Sequence, residues 1–319
     1  VNYSVTESTD QRWGIMRAGE VYPIGIEFPD HRALMRCYFG DRAAFDAAIG
    51  DEALDSGSLS YNAPIARDVQ LYCQGLNYSD HRAESGVSDK GDEENLIFMK
   101  AASSICGPND TIVRPRGCQL LDYEIELGLV LKRDISEPTR ITEQQLADYV
   151  GGLVLCNDVS ARDLMFGAPM LQWFRGKSQR TFCPTGPVLY LLDAEDLAQL
   201  YSLELKLKMN GELKQDAVTS QLIHRPAETL SEISGFADLR EGDCLLTGTP
   251  GGILAGASPK AALAILLNFT NDAKRRDKFT RAQLAKSKFL EPGDVLELQI
   301  RTADGSIDLG TQTNQIADA

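Results

Sequence analysis

Asp122-Tyr123-Glu124-Ile125-Glu126-Leu127 carries both the fold and the chemistry of this chain. The run from Leu121 to Leu131 is apolar apart from its acids and reads as a buried strand. In a strand, residues i and i+2 share a face, so Glu124 and Glu126 point the same way. Two carboxylates on one buried face repel each other and are costly to desolvate, and a bound cation removes both problems. The alternative puts the pair on the solvated face of an edge strand. Asp158, in Asn157-Asp158-Val159-Ser160-Ala161-Arg162-Asp163, ends a second apolar run, Gly152-Leu153-Val154-Leu155-Cys156, and offers a third carboxylate. An all-oxygen set suits hard cations rather than zinc. One divalent cation, Mg²⁺ or Mn²⁺ with Ca²⁺ as a further candidate, is therefore expected on Glu124, Glu126 and Asp158.

A third cluster is Gly75-Leu76-Asn77-Tyr78-Ser79-Asp80-His81-Arg82-Ala83-Glu84. The chain has only 3 histidines, and two of them, His31 and His81, sit in the same Asp-His-Arg-Ala tetrapeptide. Local sequence does not separate them, but context does. Glu84 follows His81 by one helical turn, a spacing at which a carboxylate orients an imidazole that deprotonates water. His31 follows Phe28-Pro29-Asp30 and lacks such a partner. The residues after Glu84, from Ser85 to Glu94, are polar and glycine-bearing, as in a mobile lid. Their acids do not have the spacing of an EF-hand loop.

The texture changes near residue 65. Residues 1–65 read as a small α+β region: a β-meander over 11–28 and a short helix from Arg42 to Ile49, with Asp41 as cap and Gly50 as stop. Residues 66–319 read as mainly β. Strand-like runs recur at Leu121–Leu131, Gly152–Cys156, Pro187–Leu192, Leu203–Met209, Asp243–Leu246 and Val295–Arg301, with turns at Asn210-Gly211, Pro292-Gly293-Asp294 and Asp304-Gly305. A capping box at Thr142–Gln145 starts a helix that Gly151-Gly152 stops, and a further helix fits Ala227 to Ser234. Residues 255–290 stand out. Ser258-Pro259 begins an apolar helix, and Thr280-Arg281-Ala282-Gln283 looks like a second capping box. This segment reads as a helical insertion, either peripheral decoration, a wall of the pocket, or a subunit contact.

In order along the chain, these motifs resemble the fumarylacetoacetate hydrolase superfamily. The resemblance rests on Gly75-Leu76-Asn77-Tyr78 with His81 and Glu84, Ser103 to Asp110, Tyr123 to Leu127 and Asn157 to Asp163. It continues through Gly176-Lys177-Ser178, Thr181 to Pro187, Thr247-Gly248-Thr249-Pro250 and Pro292-Gly293-Asp294-Val295. It implies an α+β, mainly β fold, a fumarylacetoacetase-like roll of packed sheets, and a homodimer. It implies that His81 and Glu84 form a water-activating dyad and that Lys177 stabilises developing negative charge. It also implies that Tyr78, Arg162 and Thr249 bind substrate. After Lys177-Ser178 this chain has Gln179-Arg180, where many relatives carry an apolar residue and an aspartate, and it has Met165 where a polar side chain is common. Arg180 would favour an extra carboxylate on the substrate; Met165 would favour an apolar acyl tail.

Composition excludes other classes. A net charge of −14 argues against nucleic-acid and anionic-membrane partners. No apolar run approaches the length of a membrane span. The start shows no signal pattern, and the 7 cysteines have neither metal nor redox spacing, so a cytoplasmic chain with reduced, mostly buried thiols is expected. The activity expected is metal-dependent hydrolysis of a C–C bond in a β-diketo acid, above all an acylpyruvate. Decarboxylation or keto–enol isomerisation of a 2-oxo acid is the alternative.

Overall fold

The computed structural model describes residues 1–5, 8, 10–86, 94–167, 171–268 and 270–319. Among them, strands form sheets of seven, five, four and two strands. The centre of the largest is Ile125–Leu131, every residue of which is buried. It pairs antiparallel with Val150–Asn157 on one side and Cys244–Leu246 on the other. Beyond Cys244–Leu246 lie Leu71–Gly75 and Leu96–Lys100; beyond Val150–Asn157 lie Cys183–Leu191 and Ile105–Cys106. The five-stranded sheet runs Glu212–Val218, Leu203–Met209, Val295–Thr302, Asp308–Asp318 and Ile112–Arg114.

Alternation along the central strand divides the interior in two. Ile125, Leu127, Leu129 and Leu131 pack with Leu205, Leu207, Leu298 and Ile300 of the five-stranded sheet. Each such leucine, fully buried, contributes about 1.5–3 kcal/mol relative to exposure. The opposite face carries Val130, Val154, Cys156 and Leu246, which pack with Ile65 and with Met35 of helix His31–Gly40. Glu126 has the parity of Val130 and belongs to this second face, so the solvated edge strand is excluded: Glu126 is 1% exposed. The seven cysteines are free, and all but Cys37 are buried. No helix among the described residues is long and apolar enough to cross a membrane.

The N-terminal residues supply the four-stranded antiparallel sheet, in the order Glu20–Pro23, Arg12–Arg17, Asn2–Val5 and Leu59–Tyr61. The expected meander over 11–28 is one hairpin, turned at Ala18-Gly19, where both residues take positive φ, 51° and 84°. Asp41 caps helix Arg42–Ala47 as expected. Helix His31–Gly40, capped by the Asp30 side chain on the Ala33 amide, was not anticipated.

Three local expectations are corrected. The run Leu121–Leu131 is not one strand. Leu121–Asp122 pairs with Ser160–Ala161, and the chain breaks at Tyr123-Glu124 before entering the large sheet at Ile125. Thr142 does form its capping box with Gln145, but the helix ends at Tyr149, and Gly151-Gly152 lie inside strand Val150–Asn157. Thr280 is not a cap. It lies within helix Asp272–Leu284, whose cap is Asn271, and the Gln283 side chain bonds the Gly256 backbone instead.

Candidate active site

Strand register brings the first two clusters together. Ile125 pairs with Asn157 and Glu126 with Cys156, so Glu124 and Asp158 meet at the end of the ladder. There the Asp158 amide donates to the Glu124 carbonyl at 2.8 Å, and the Glu124 amide donates to the Asn157 side chain at 3.1 Å. One carboxylate oxygen each of Glu124, Glu126 and Asp158 lies within 4.8 Å of the others. The third cluster reaches the same point through Asn77, which donates to the Thr247 carbonyl at 2.8 Å. Thr247-Gly248 then turns so that the Gly248 amide donates to Glu126 Oε2 at 2.8 Å. Gly248 has φ +88°, and a Cβ there would stand 2.9 Å from the Asn77 Cβ, so glycine is required.

Three buried cations surround these acids. Lys177 Nζ donates to Glu124 Oε2 at 2.7 Å and to Asp158 Oδ2 at 2.5 Å. Lys100 donates to Asp158 and to the Phe182 carbonyl. Arg162 bridges Asp122 at 3.0 Å and Glu124 at 2.6 Å. Burial pushes the Glu124 carboxyl up, but Lys177 and Arg162 outweigh it and hold the group well below the usual carboxylate range. Glu126 goes the other way: burial, Asp158 and Glu124 all raise it far above that range. Ionised, Glu126 therefore demands a further positive charge. Three converging carboxylates with one such demand fit a hard divalent cation, and Glu124, Glu126 and Asp158 could hold it.

His81 lies on helix Ser79–Glu84 and is 6% exposed. Burial, against the pull of Glu124 and with Arg162 and Lys177 reinforcing it, lowers its pKa to about 4. Its Nδ1 has no hydrogen-bond partner. The imidazole is thus held neutral, with a buried, unpartnered Nδ1, in the same cavity as Glu124 and Lys177. Glu84 is on the same helix, but its carboxylate accepts the Gly252 amide at 2.9 and 3.0 Å. Its expected bond to His81 is absent, and the carboxylate caps the backbone at Gly252 instead. His31 is buried among backbone groups, contacting the Gly242 carbonyl at 3.1 Å and accepting the Ala66 amide at 3.3 Å. Of the lid expected over Ser85–Glu94, residues 87–93 lie outside the described residues.

A cavity of about 510 Å³ opens onto this cluster. His81, Glu124, Arg162, Lys177 and Thr249 all line it. Thr249 Oγ1 accepts the Gln215 amide at 2.8 Å. Tyr78, expected to bind substrate, is 2% exposed, packs on Ala217 and Leu222, and does not line the cavity. It precedes the first turn of its helix, and its hydroxyl is buried without a hydrogen-bond partner, within reach of the Glu126 charge. Neither specificity candidate lines the cavity. Met165 is fully buried under Gly176, and Arg180 is exposed. Residues 255–290 do wall the cavity, through Ile265 of helix Pro259–Leu267 and Phe279 and Gln283 of helix Asp272–Leu284. Leu263, Leu266 and Leu267 of the first helix are exposed at 52, 73 and 68%.

Two charged residues of the cluster had no assigned role. Lys100 ends an otherwise apolar strand, Leu96–Lys100; a lone lysine closing such a run is its only local signal. Asp122 accepts the Tyr123, Leu254 and Ala255 amides as well as Arg162, and so ties the start of the insertion to the site. Its position beside Tyr123-Glu124 was visible, but its partners come from distant segments.

Residues 70–317 match the fumarylacetoacetate (FAA) hydrolase C-terminal family. The chain is similar to 2,4-didehydro-3-deoxy-L-rhamnonate hydrolase of Sphingomonas sp. (strain SKA58), with 33% identity over 279 residues, 86% of this chain and 83% of that protein. It is 36% identical over 200 residues to the mitochondrial oxaloacetate tautomerase FAHD2B of Bos taurus, which covers 63% of this chain and 62% of the tautomerase. The chain thus spans less than two thirds of that relative's length. The solved structure of fumarylacetoacetate hydrolase from psychrophilic Exiguobacterium antarcticum superposes with a TM-score of 0.74 at 27% identity, covering 100% of this chain and 99% of that one. These relatives are enzymes, and the agreement extends to the α+β, mainly β, fumarylacetoacetase-like fold. The chain belongs to the fumarylacetoacetate hydrolase family.

Proposed function

We propose that this chain hydrolyses the C–C bond of an acylpyruvate, with Glu124, Glu126 and Asp158 holding Mg²⁺ or Mn²⁺. The observation that carries the reading is the neutral His81 imidazole, its Nδ1 without a hydrogen-bond partner, in one cavity with Glu124 and Lys177. When bound, the cation polarises the 2-oxo-acid head and offsets the charge of the three carboxylates. Arg162 and Lys177 are the cations available to orient the substrate carboxylate. His81 takes a proton from water, and the resulting hydroxide attacks the distal carbonyl carbon. The bond between that carbon and the methylene breaks, giving a carboxylic acid, which releases its proton to solvent, and the enolate of pyruvate. Lys177 stabilises the enolate oxygen where charge develops. The methylene carbon recovers a proton from the His81 imidazolium. Glu84 holds the helix that carries His81 by way of Gly252.

A second reading is keto–enol interconversion of a 2-oxo acid in the same site. It is favoured by the Glu84 carboxylate lying on Gly252 rather than on His81, since tautomerisation needs no activated water. Initial rates of acylpyruvate cleavage and of phenylpyruvate keto–enol exchange, measured side by side with Mn²⁺ and with chelator, separate the two. Faster metal-dependent cleavage is expected. Exchange without cleavage would move the second reading ahead.

A further inference from the structure

We propose that the cavity selects a 2-oxo acid with an apolar, uncharged tail and rejects one ending in a second carboxylate. The inference rests on the proposed head-group chemistry and adds the specificity of the tail. Phe98, Trp173, Phe166 and Phe279 form a continuous chain of ring contacts, with successive centroids 5.0, 6.4 and 5.6 Å apart. All four line the cavity, together with Ile253 and Ile265. Phe279 and Ile265 come from the helical insertion, so that segment completes a wall begun by Phe98, Phe166 and Trp173.

Among the described residues, charge is confined to the head-group end. The ionisable lining residues are His81, Glu124, Arg162 and Lys177, and Asp122, Glu124 and Asp158 hold both cations among them at that end. Among the described residues, no other cation lines the cavity. Arg275 reaches the insertion's interior but donates to the Gly167 carbonyl at 3.0 Å and the Asn268 carbonyl at 3.2 Å. The polar Gln283 is occupied by Gly256, donating to its carbonyl at 3.0 Å. A tail carboxylate would give up hydration for aromatic rings whose faces carry negative charge density. An apolar tail gains about fourfold in affinity for each methylene it buries.

Two probes without a second carbonyl test this without turnover: 6-methyl-2-oxoheptanoate and 2-oxoadipate. They share the head and differ in a terminal isopropyl against a terminal carboxylate. Calorimetry on the full chain with Mn²⁺ should give at least about tenfold tighter binding of the branched acid, as expected for burying several carbons. Phe279→Ala should shrink that ratio. Ile265→Arg, at a partly exposed position, should tighten 2-oxoadipate and weaken the branched acid. Equal binding of the two probes, tighter 2-oxoadipate, or no binding of the branched acid by the wild-type chain overturns the proposal. Pyruvate binding and acylpyruvate cleavage in the same preparation report separately on the head-group reading.

Discussion

Gly248 donates its amide N–H to Glu126 Oε2 at 2.8 Å, and this bond joins two segments 122 residues apart in sequence. It fixes the acid whose carboxyl burial, Asp158 and Glu124 push far above the carboxylate range. Glu126→Gln keeps an acceptor for Gly248 and removes the charge. Mn²⁺ binding should fall below detection by calorimetry, while the chain without metal should unfold at the same temperature or higher. Unchanged Mn²⁺ affinity would remove Glu126 from the metal set.

His81 gives a pH signature. Its pKa is lowered from 6.5 to about 4 by burial, with Arg162 and Lys177 reinforcing the shift against Glu124. Between these values the unfolded chain binds more protons than the folded one. The stability linked to His81 is therefore complete above the unfolded pKa and is lost as pH falls towards the folded one. The acid limb of kcat/KM should likewise lie near 4 rather than 6.5. His81→Ala should remove that limb and cut cleavage by about 10²–10⁴-fold at unchanged metal affinity. His31→Ala should cost about 1–3 kcal/mol of stability, from the buried backbone groups it leaves unpaired, and spare the chemistry. Inactivation by the His31 change alone would contradict the assignment.

Glu84 separates support from proton relay. In Glu84→Gln the side chain still accepts the Gly252 amide, so cleavage should stay within about threefold, the worth of a modest change in one hydrogen bond. Glu84→Ala should lose more. A loss in the glutamine variant as large as that in His81→Ala would show that the carboxylate charge acts on the imidazole.

Lys100 is fully buried against Asp158 and the Phe182 carbonyl. Lys100→Met leaves part of the Asp158 charge uncompensated, which should cost about 3–5 kcal/mol by guanidinium unfolding. An unchanged midpoint would mean that Lys177 alone balances Asp158.

Much of this was legible because it is periodic. The apolar run from Leu121 to Leu131 marks a buried strand, and its period of two sets Glu126 on the face opposite Leu127, Leu129 and Leu131. The acids Glu124, Glu126 and Asp158 meet because each lies at or near the same end of paired strands. What stayed hidden depends on partners remote in sequence. Lys100 is 58 residues from Asp158. Glu84 finds Gly252, 168 residues away, before it finds His81. Thr280 has the local form of a cap, but helix Asp272–Leu284 continues through it, with Phe279 and Gln283 buried. Arg180 and Met165 flank the site in sequence, yet one faces solvent and the other packs under Gly176.

The most direct test is the mass of the products formed from an acylpyruvate in ¹⁸O-labelled water with Mn²⁺. Hydrolysis predicts pyruvate plus a carboxylate that carries one new ¹⁸O, formed by the wild-type chain and lost in Glu126→Gln and His81→Ala. Intact acylpyruvate with only deuterium exchange at its methylene, when the solvent is deuterated, would contradict the account.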